Sequence, residues 1–142
     1  MSTQDKTTPA QKCTVYYDGE CPICRVEISA YRALDRTGAL TYTDVTSSPG
    51  DPASDLDRAA ALKRFHVRLG DGRLISGGRA FVALWRETPG LRWLGRIGSA
   101  PPLIWLAEPV YRVFLVVRPG LQAFARLLIK LRKKGSAPKS AP

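Results

Sequence analysis

The sequence predicts an α/β fold: a four-stranded mixed sheet flanked by helices, with a C-terminal helical extension. Three observations predict it. A β-α-β-α block followed by a hairpin and one more helix runs over residues 13 to 88, each element marked by the recurrence of its apolar residues. A Cys-Pro-Ile-Cys motif at residues 21–24 stands where the first strand delivers into the first helix, the strand end at which sites form in open α/β sheets. Beyond Pro89 the chain becomes its most apolar, and it ends in a cluster of basic residues.

The elements follow in order. Residues 1 to about 11 are polar and are expected to be a flexible leader; they hold no apolar run or cleavage site of a secretory signal, so a cytoplasmic location is expected. Thr14-Val15-Tyr16-Tyr17 is β-branched and aromatic and ends at Asp18-Gly19, a strand meeting a turn. From Pro22 the period is helical, with Ile23, Val26, Ala30 and Leu34 as the apolar stripe, Arg25, Glu27, Arg32 and Asp35 elsewhere on the wheel, and Thr37-Gly38 as the stop. Leu40 to Val45 alternates and predicts a second strand, and Ser47 to Pro52 a loop. Ser54 is the expected N-cap of a helix from Asp55 to about Phe65. His66–Leu69 and Arg73–Ser76, joined by Gly70-Asp71-Gly72, predict a β-hairpin. Gly77-Gly78 opens a helix through Phe81, Val82, Leu84 and Trp85 that ends near Pro89-Gly90. This order matches a minimal thioredoxin-like layout. Residues 12–90 are therefore expected to form one thioredoxin-like domain, 91–134 an apolar and basic helical extension, and 135–142 a flexible tail.

Composition narrows the function classes. A chain of 142 residues with 44% hydrophobic residues can bury a core without cross-links, and three cysteines are too few for a disulfide scaffold. The cysteines therefore point to site chemistry in a reduced compartment. The net charge of +10 is uneven. After Glu108 there is no acidic residue and there are eight basic ones, leaving fourteen basic against twelve acidic upstream. The basicity belongs to the C-terminal end, which argues against a nucleic-acid partner for the domain.

Two cysteines three apart at a helix start share one side of its first turn, where partial positive charge and free N–H groups favour a thiolate. Cys21, at the end of the turn, is the expected exposed nucleophile, and Cys24, one turn deeper, the resolving thiol. Pro22 suits the first helical position, where a missing N–H costs nothing. Arg25 is the expected nearby cation. Asp18 either takes the proton of Cys24 or caps the turn. A zinc site would need two more ligands, and only Cys13 and His66 are on offer, so no metal and no other cofactor is expected. Cys13 reads as a buried strand residue and His66 as a strand-edge residue.

The segment Tyr17-Asp18-Gly19-Glu20-Cys21-Pro22-Ile23-Cys24 resembles the signature of the DCC family of predicted thiol-disulfide oxidoreductases, named for its D-x-x-C-x-x-C motif, here Asp18, Cys21 and Cys24. The likeness continues through Leu40–Val45, the Gly70-Asp71-Gly72 hairpin, Ser76 to Phe81, Leu84-Trp85, Trp93-Leu94 and Tyr111-Arg112, covering about residues 13 to 120. It implies a thioredoxin-like fold and disulfide exchange with a thiol or disulfide substrate and a separate redox partner. There are two departures. Thioredoxins place a cis-proline just before the hairpin strand, and Lys63 to Val67 has none; the family's Arg-Asn-Arg-Tyr-like stretch is replaced by the apolar run Val113–Val117.

The extension is interrupted at Pro101-Pro102, Glu108-Pro109, Arg112 and Arg118-Pro119, and no apolar run reaches the roughly 20 residues of a membrane-crossing helix. Its last helix, about Leu121 to Lys134, puts Leu121, Phe124, Leu128 and Leu131 on one side and Arg126, Lys130 and Lys133 on another. Two readings follow: packing on the domain, or peripheral contact with an anionic membrane aided by Trp93 and Trp105. Alternatives to the enzyme are a structural zinc module and a redox-inert membrane-surface or partner-binding domain.

Overall fold

Val15 and Tyr16 point to opposite faces of the first strand, and each face carries its own core. A computed structural model describes residues 12–135; the expected leader at 1–11 and residues 136–142 of the expected tail lie outside them. The elements are β1 (Cys13–Tyr17), α1 (Pro22–Leu34), β2 (Leu40–Asp44), a 3-10 turn (Val45–Ser47), α2 (Arg58–Lys63), β3 (His66–Arg68), β4 (Leu74–Ser76), α3 (Gly78–Glu87), α4 (Arg92–Ser99) and α5 (Leu103–Gly135). The sheet order is β2-β1-β3-β4. β1 runs parallel to β2 and antiparallel to β3, with Val15 opposite Tyr42 and Val67, and β3 pairs antiparallel with β4. This is the four-stranded mixed sheet of a thioredoxin-like α/β fold, with a long C-terminal helix added.

On one face Val15, Leu40 and Val67 meet Ile28 and Tyr31 of α1 and Ala80 and Leu84 of α3. On the other, Tyr16 and Val45 meet Leu56 and Ala61 beside α2. Burying the fully enclosed Val15, Val67 and Leu84 contributes roughly 1.5–3 kcal/mol each.

Three expectations are corrected. The buried stripe of α1 is Pro22, Ile28 and Tyr31, while Val26 is 72% exposed and Leu34 41%. The outward phase looked more apolar only because the inward one carries Cys24, Glu27 and Tyr31, whose polar atoms are paired. Second, α2 begins at Arg58 with Asp57 as its N-cap, accepting the Ala60 N–H at 2.8 Å, and Ser54 is not its cap. Asp55 is drawn off to pair with the Arg68 guanidinium, and Leu56 is buried before the helix starts. Third, α5 is one helix of 33 residues that runs through Pro109 and Pro119. Both prolines are exposed. Water can take the carbonyls they leave free, while residues on either side hold the helix to the domain.

The hold is specific. Tyr111 is 5% exposed, packs on Phe81, and its hydroxyl accepts the Phe65 N–H at 2.7 Å. Glu108 pairs with Arg64 and accepts the Gly78 N–H at 3.2 Å. Gly78 permits this approach, because a Cβ there would lie 2.0 Å from the Ala107 carbonyl oxygen. Phe65 lies in the middle of the segment Lys63 to Val67, where thioredoxins carry their cis-proline, and both its backbone groups are taken: the N–H by Tyr111 and the carbonyl by Gly77 N–H at 2.9 Å.

Candidate active site

The motif turn is fixed from two directions. Asp18 accepts the Cys21 N–H on its carbonyl at 3.2 Å and the Glu20 N–H on its carboxylate at 2.9 Å, so it closes the turn that leads into α1. From the end of β2, Asp44 accepts the Gly19 N–H at 3.0 Å while also holding the N–H and hydroxyl of Thr46. The neighbouring parallel strand thereby sets where α1 starts. Cys21 is the N-cap of α1, its sulfur accepting the Cys24 N–H at 3.4 Å, and Pro22 occupies the first helical turn, where no partner for its nitrogen is needed.

Both thiols are free, and the Cys24 thiol donates to Cys21 Sγ. Cys21 is 1% exposed and Cys24 half-buried, so the expectation that Cys21 is the more open thiol is corrected. The cause is α5, which crosses the motif. Gln122 donates its Nε2 to Cys21 Sγ at 3.1 Å, and the Arg118 guanidinium lies 3.5 Å from Cys24 Sγ and 3.8 Å from the Asp18 carboxylate.

These surroundings separate the two thiols. Burial opposes ionisation of Cys21, but the hydrogen bonds it accepts from Cys24, Gln122 and Arg118 outweigh burial and hold it below the ordinary thiol range. Cys24 is pushed up to about 12, by burial first, then by its bond to Cys21 and the charge there; Asp18 adds to the rise and Arg118 opposes it. One sulfur is thus set to carry the thiolate and the other to keep its proton.

Arg25, the cation expected from sequence, is exposed and makes no contact with either sulfur beyond the helical bond of its own N–H to the Cys21 carbonyl. Arg118 stands in that place. Neither it nor Gln122 was legible as a site residue. The one signal available was that Arg118 is the cation in the middle of an otherwise apolar stretch, Val113 to Val117 preceding it.

A cavity of 40 Å³ lies beside Cys24, lined by Asp18, Glu27, Arg64, Tyr111 and Arg118 among others, and is large enough for a water molecule. Burial raises the Glu27 carboxyl above the usual range, against the opposing effects of the Tyr31 hydroxyl and Arg118. The Tyr31 hydroxyl donates to Glu27 at 3.2 Å and accepts from the Trp85 indole at 3.0 Å, tying α1 to α3 behind the site.

The remaining candidates lie elsewhere. Cys13 starts β1, roughly 13 Å along the strand from the end that carries the motif, and burial pushes its thiol up to about 12. His66 starts β3, an interior strand, and is buried, with Nδ1 2.8 Å from the Arg64 carbonyl. Among the described residues no three His, Cys, Asp or Glu side chains converge as a metal site. Arg126, Lys130 and Lys133 are exposed beyond the motif on α5.

Comparison with known proteins agrees with this geometry. The sequence is 29% identical over 132 residues to an Arabidopsis thaliana protein described as uncharacterised and chloroplastic. The match takes in 87% of this chain and 59% of that protein, so the chain spans little more than half of its relative. No solved structure matches. The family model described as DCC1-like thiol-disulfide oxidoreductase matches residues 15–124, which hold the motif turn, the sheet, and α5 as far as Arg118 and Gln122; the chain belongs to the DCC1-like thiol-disulfide oxidoreductase family.

Proposed function

We propose that Cys21 and Cys24 cycle between dithiol and disulfide, with Cys21 as nucleophile and Cys24 as resolving thiol. The observation that carries this reading is the opposite displacement of the two thiols, Cys21 down and Cys24 up, under the same pair of α5 side chains. The Cys21 thiolate attacks one sulfur of a substrate disulfide, and the other sulfur departs with the bonding electron pair and takes a proton from water. Cys24 then gives up its proton, for which Asp18 is the proposed acceptor, and its sulfur attacks Cys21 Sγ. The second substrate thiolate leaves, and Cys21–Cys24 remains as a disulfide. Two electrons pass to the substrate. A thiol-class redox partner restores the dithiol, and the same steps in reverse oxidise a substrate dithiol. The chain's residues supply all of this chemistry with no cofactor.

Equilibration of the full chain against a series of reduced and oxidised glutathione tests it. An internal Cys21–Cys24 disulfide is expected to form, with Cys24→Ser trapping a mixed disulfide and Cys21→Ser trapping none. Asp18→Asn is expected to slow release of the mixed disulfide while leaving its formation intact. If no internal disulfide forms at any poise, the reading fails.

A further inference from the structure

α5 touches the domain with one side only. Its partly or fully buried positions, Ile104, Ala107, Glu108, Tyr111, Arg118 and Gln122 among them, recur at helical spacing and face α1, α3 and α4. The opposite side carries almost nothing but apolar residues. Thirteen of the seventeen large apolar residues exposed among the described residues lie on α5, so the exposure is concentrated and not scattered.

At about 100° of rotation per residue, Leu106, Val113, Val116, Val117, Phe124 and Leu127 fall within less than half the helix circumference. Val113, near its middle, is 65% exposed, and Val116, at one side of it, 79%. No charged residue enters this arc before Lys134. Arg112 and Lys130 line one edge of it and Arg132 the other, all exposed, while Arg126 and Lys133 lie towards the opposite side of the helix, beyond its contact with the domain. The acidic residue of α5, Glu108, is turned inward to Arg64 and Gly78.

We propose that this stripe is a docking surface for an anionic lipid bilayer, with α5 lying in the interface plane between the membrane and the domain. An apolar face edged by cations matches the layering of such a surface: acyl chains under the stripe, phosphates at its edge. The charge decides between occupants. A second copy laid along the same stripe would set cations against cations, with no free acidic residue on α5 to pair them. Nor does α5 cross a bilayer: among the described residues no single helix is long and apolar enough, and α4 with α5 passes that test only as a pair bent by 101°. The sequence alone restricts the amphipathic segment to Leu121–Lys134; the structure extends the stripe to Trp105, because the helix continues through Pro109 and Pro119.

Flotation of the full chain with vesicles tests this independently of its redox chemistry. The protein is expected to float with phosphatidylcholine vesicles containing phosphatidylglycerol, to be left behind by phosphatidylcholine alone, and to be released by salt. Trp105, 66% exposed, is expected to blue-shift its fluorescence on binding. Val116→Glu and Phe124→Glu should abolish flotation, and Lys130→Gln and Arg132→Gln should each weaken it roughly fivefold. Both apolar positions face solvent, so the variants should keep the wild-type melting transition; Leu127→Glu replaces either one that does not. Equal flotation with both vesicle types overturns the proposal, as does none with either. Self-association in vesicle-free buffer that Val116→Glu dissolves also overturns it, in favour of a second copy.

Discussion

Gln122 Nε2 donates to Cys21 Sγ at 3.1 Å across 101 positions of sequence, so α5 closes over the first thiol of the motif. Gln122 does two opposed things there. It stabilises the thiolate, and it covers the sulfur that a substrate must reach.

Gln122→Ala separates them. Loss of the donor is expected to move the pH profile of Cys21 alkylation by iodoacetamide towards higher pH. Loss of the cover is expected to raise the plateau rate, reached once the thiol is fully ionised, by severalfold. An unchanged plateau would mean that the side chain is no barrier to entry.

Arg118 acts on charge more than on access. Its guanidinium lies near both sulfurs and the Asp18 carboxylate, and its own charge is reinforced by them, although burial opposes it. Removing a charge-assisted bond of this kind costs about 1.5–3 kcal/mol. Arg118→Ala is therefore expected to slow Cys21 alkylation at neutral pH on the order of tenfold. Arg118→Lys keeps the charge without the planar fork and should fall between. Equal rates for all three proteins would remove Arg118 from the site.

The division between what was legible in sequence and what was not follows from chain separation. The strand–turn–helix around Cys21 and the hairpin at Gly70-Asp71-Gly72 are local, and the periods of their residues are enough to place them. The cation at the dithiol is not local. Arg25 is four residues from Cys21 but on an exposed part of α1, whereas Arg118 arrives from α5 only because Tyr111 and Glu108 fix that helix against Phe65, Arg64 and Gly78. Nothing in the spacing of Arg118 encodes those contacts. The phase of α1 is hidden in the sequence for a related reason: a buried stripe containing Cys24 and Glu27 does not look apolar until Arg118 and Tyr31 are found beside them.

If Glu108 anchors α5, the cover of Cys21 should loosen in acid. The hydrogen bond from Arg64, with that from Gly78 N–H, holds the Glu108 carboxyl below the usual range against a burial penalty. A depressed carboxylate stabilises the fold fully above its unfolded value, about 4.3. That contribution disappears as pH falls through the lower folded value. Thermal stability of the wild type is expected to drop in that window. Glu108→Gln should be less stable at neutral pH by about 1 kcal/mol, a modest figure because the side chain is about a quarter exposed. The variant should also lose that part of the acid dependence. Melting curves between pH 3 and 7 (a range of roughly four units around the carboxylate value) decide it: parallel pH dependences for both proteins would exclude Glu108 as the acid-sensitive anchor.

The contact between Gly19 and Asp44 makes the sharpest test of how the motif turn is placed. A Cβ on Gly19 would fall 1.9 Å from the Asp44 carboxylate, which cannot yield freely because it also holds Thr46 by its N–H at 2.8 Å and its hydroxyl at 2.6 Å. Either the turn or Asp44 must move, and overpacking of this kind costs about 1–3 kcal/mol. Gly19→Ala is expected to destabilise by that amount and to slow Cys21 alkylation, because the displaced turn carries the N-cap sulfur away from Gln122 and Arg118. Asp44→Ala removes the obstacle along with its three hydrogen bonds. In the double variant the added methyl should therefore cost much less than in the wild type, giving a coupling energy well outside the few tenths of a kcal/mol expected for independent sites. Additive effects in denaturant unfolding would show that the end of β2 does not set the position of the dithiol.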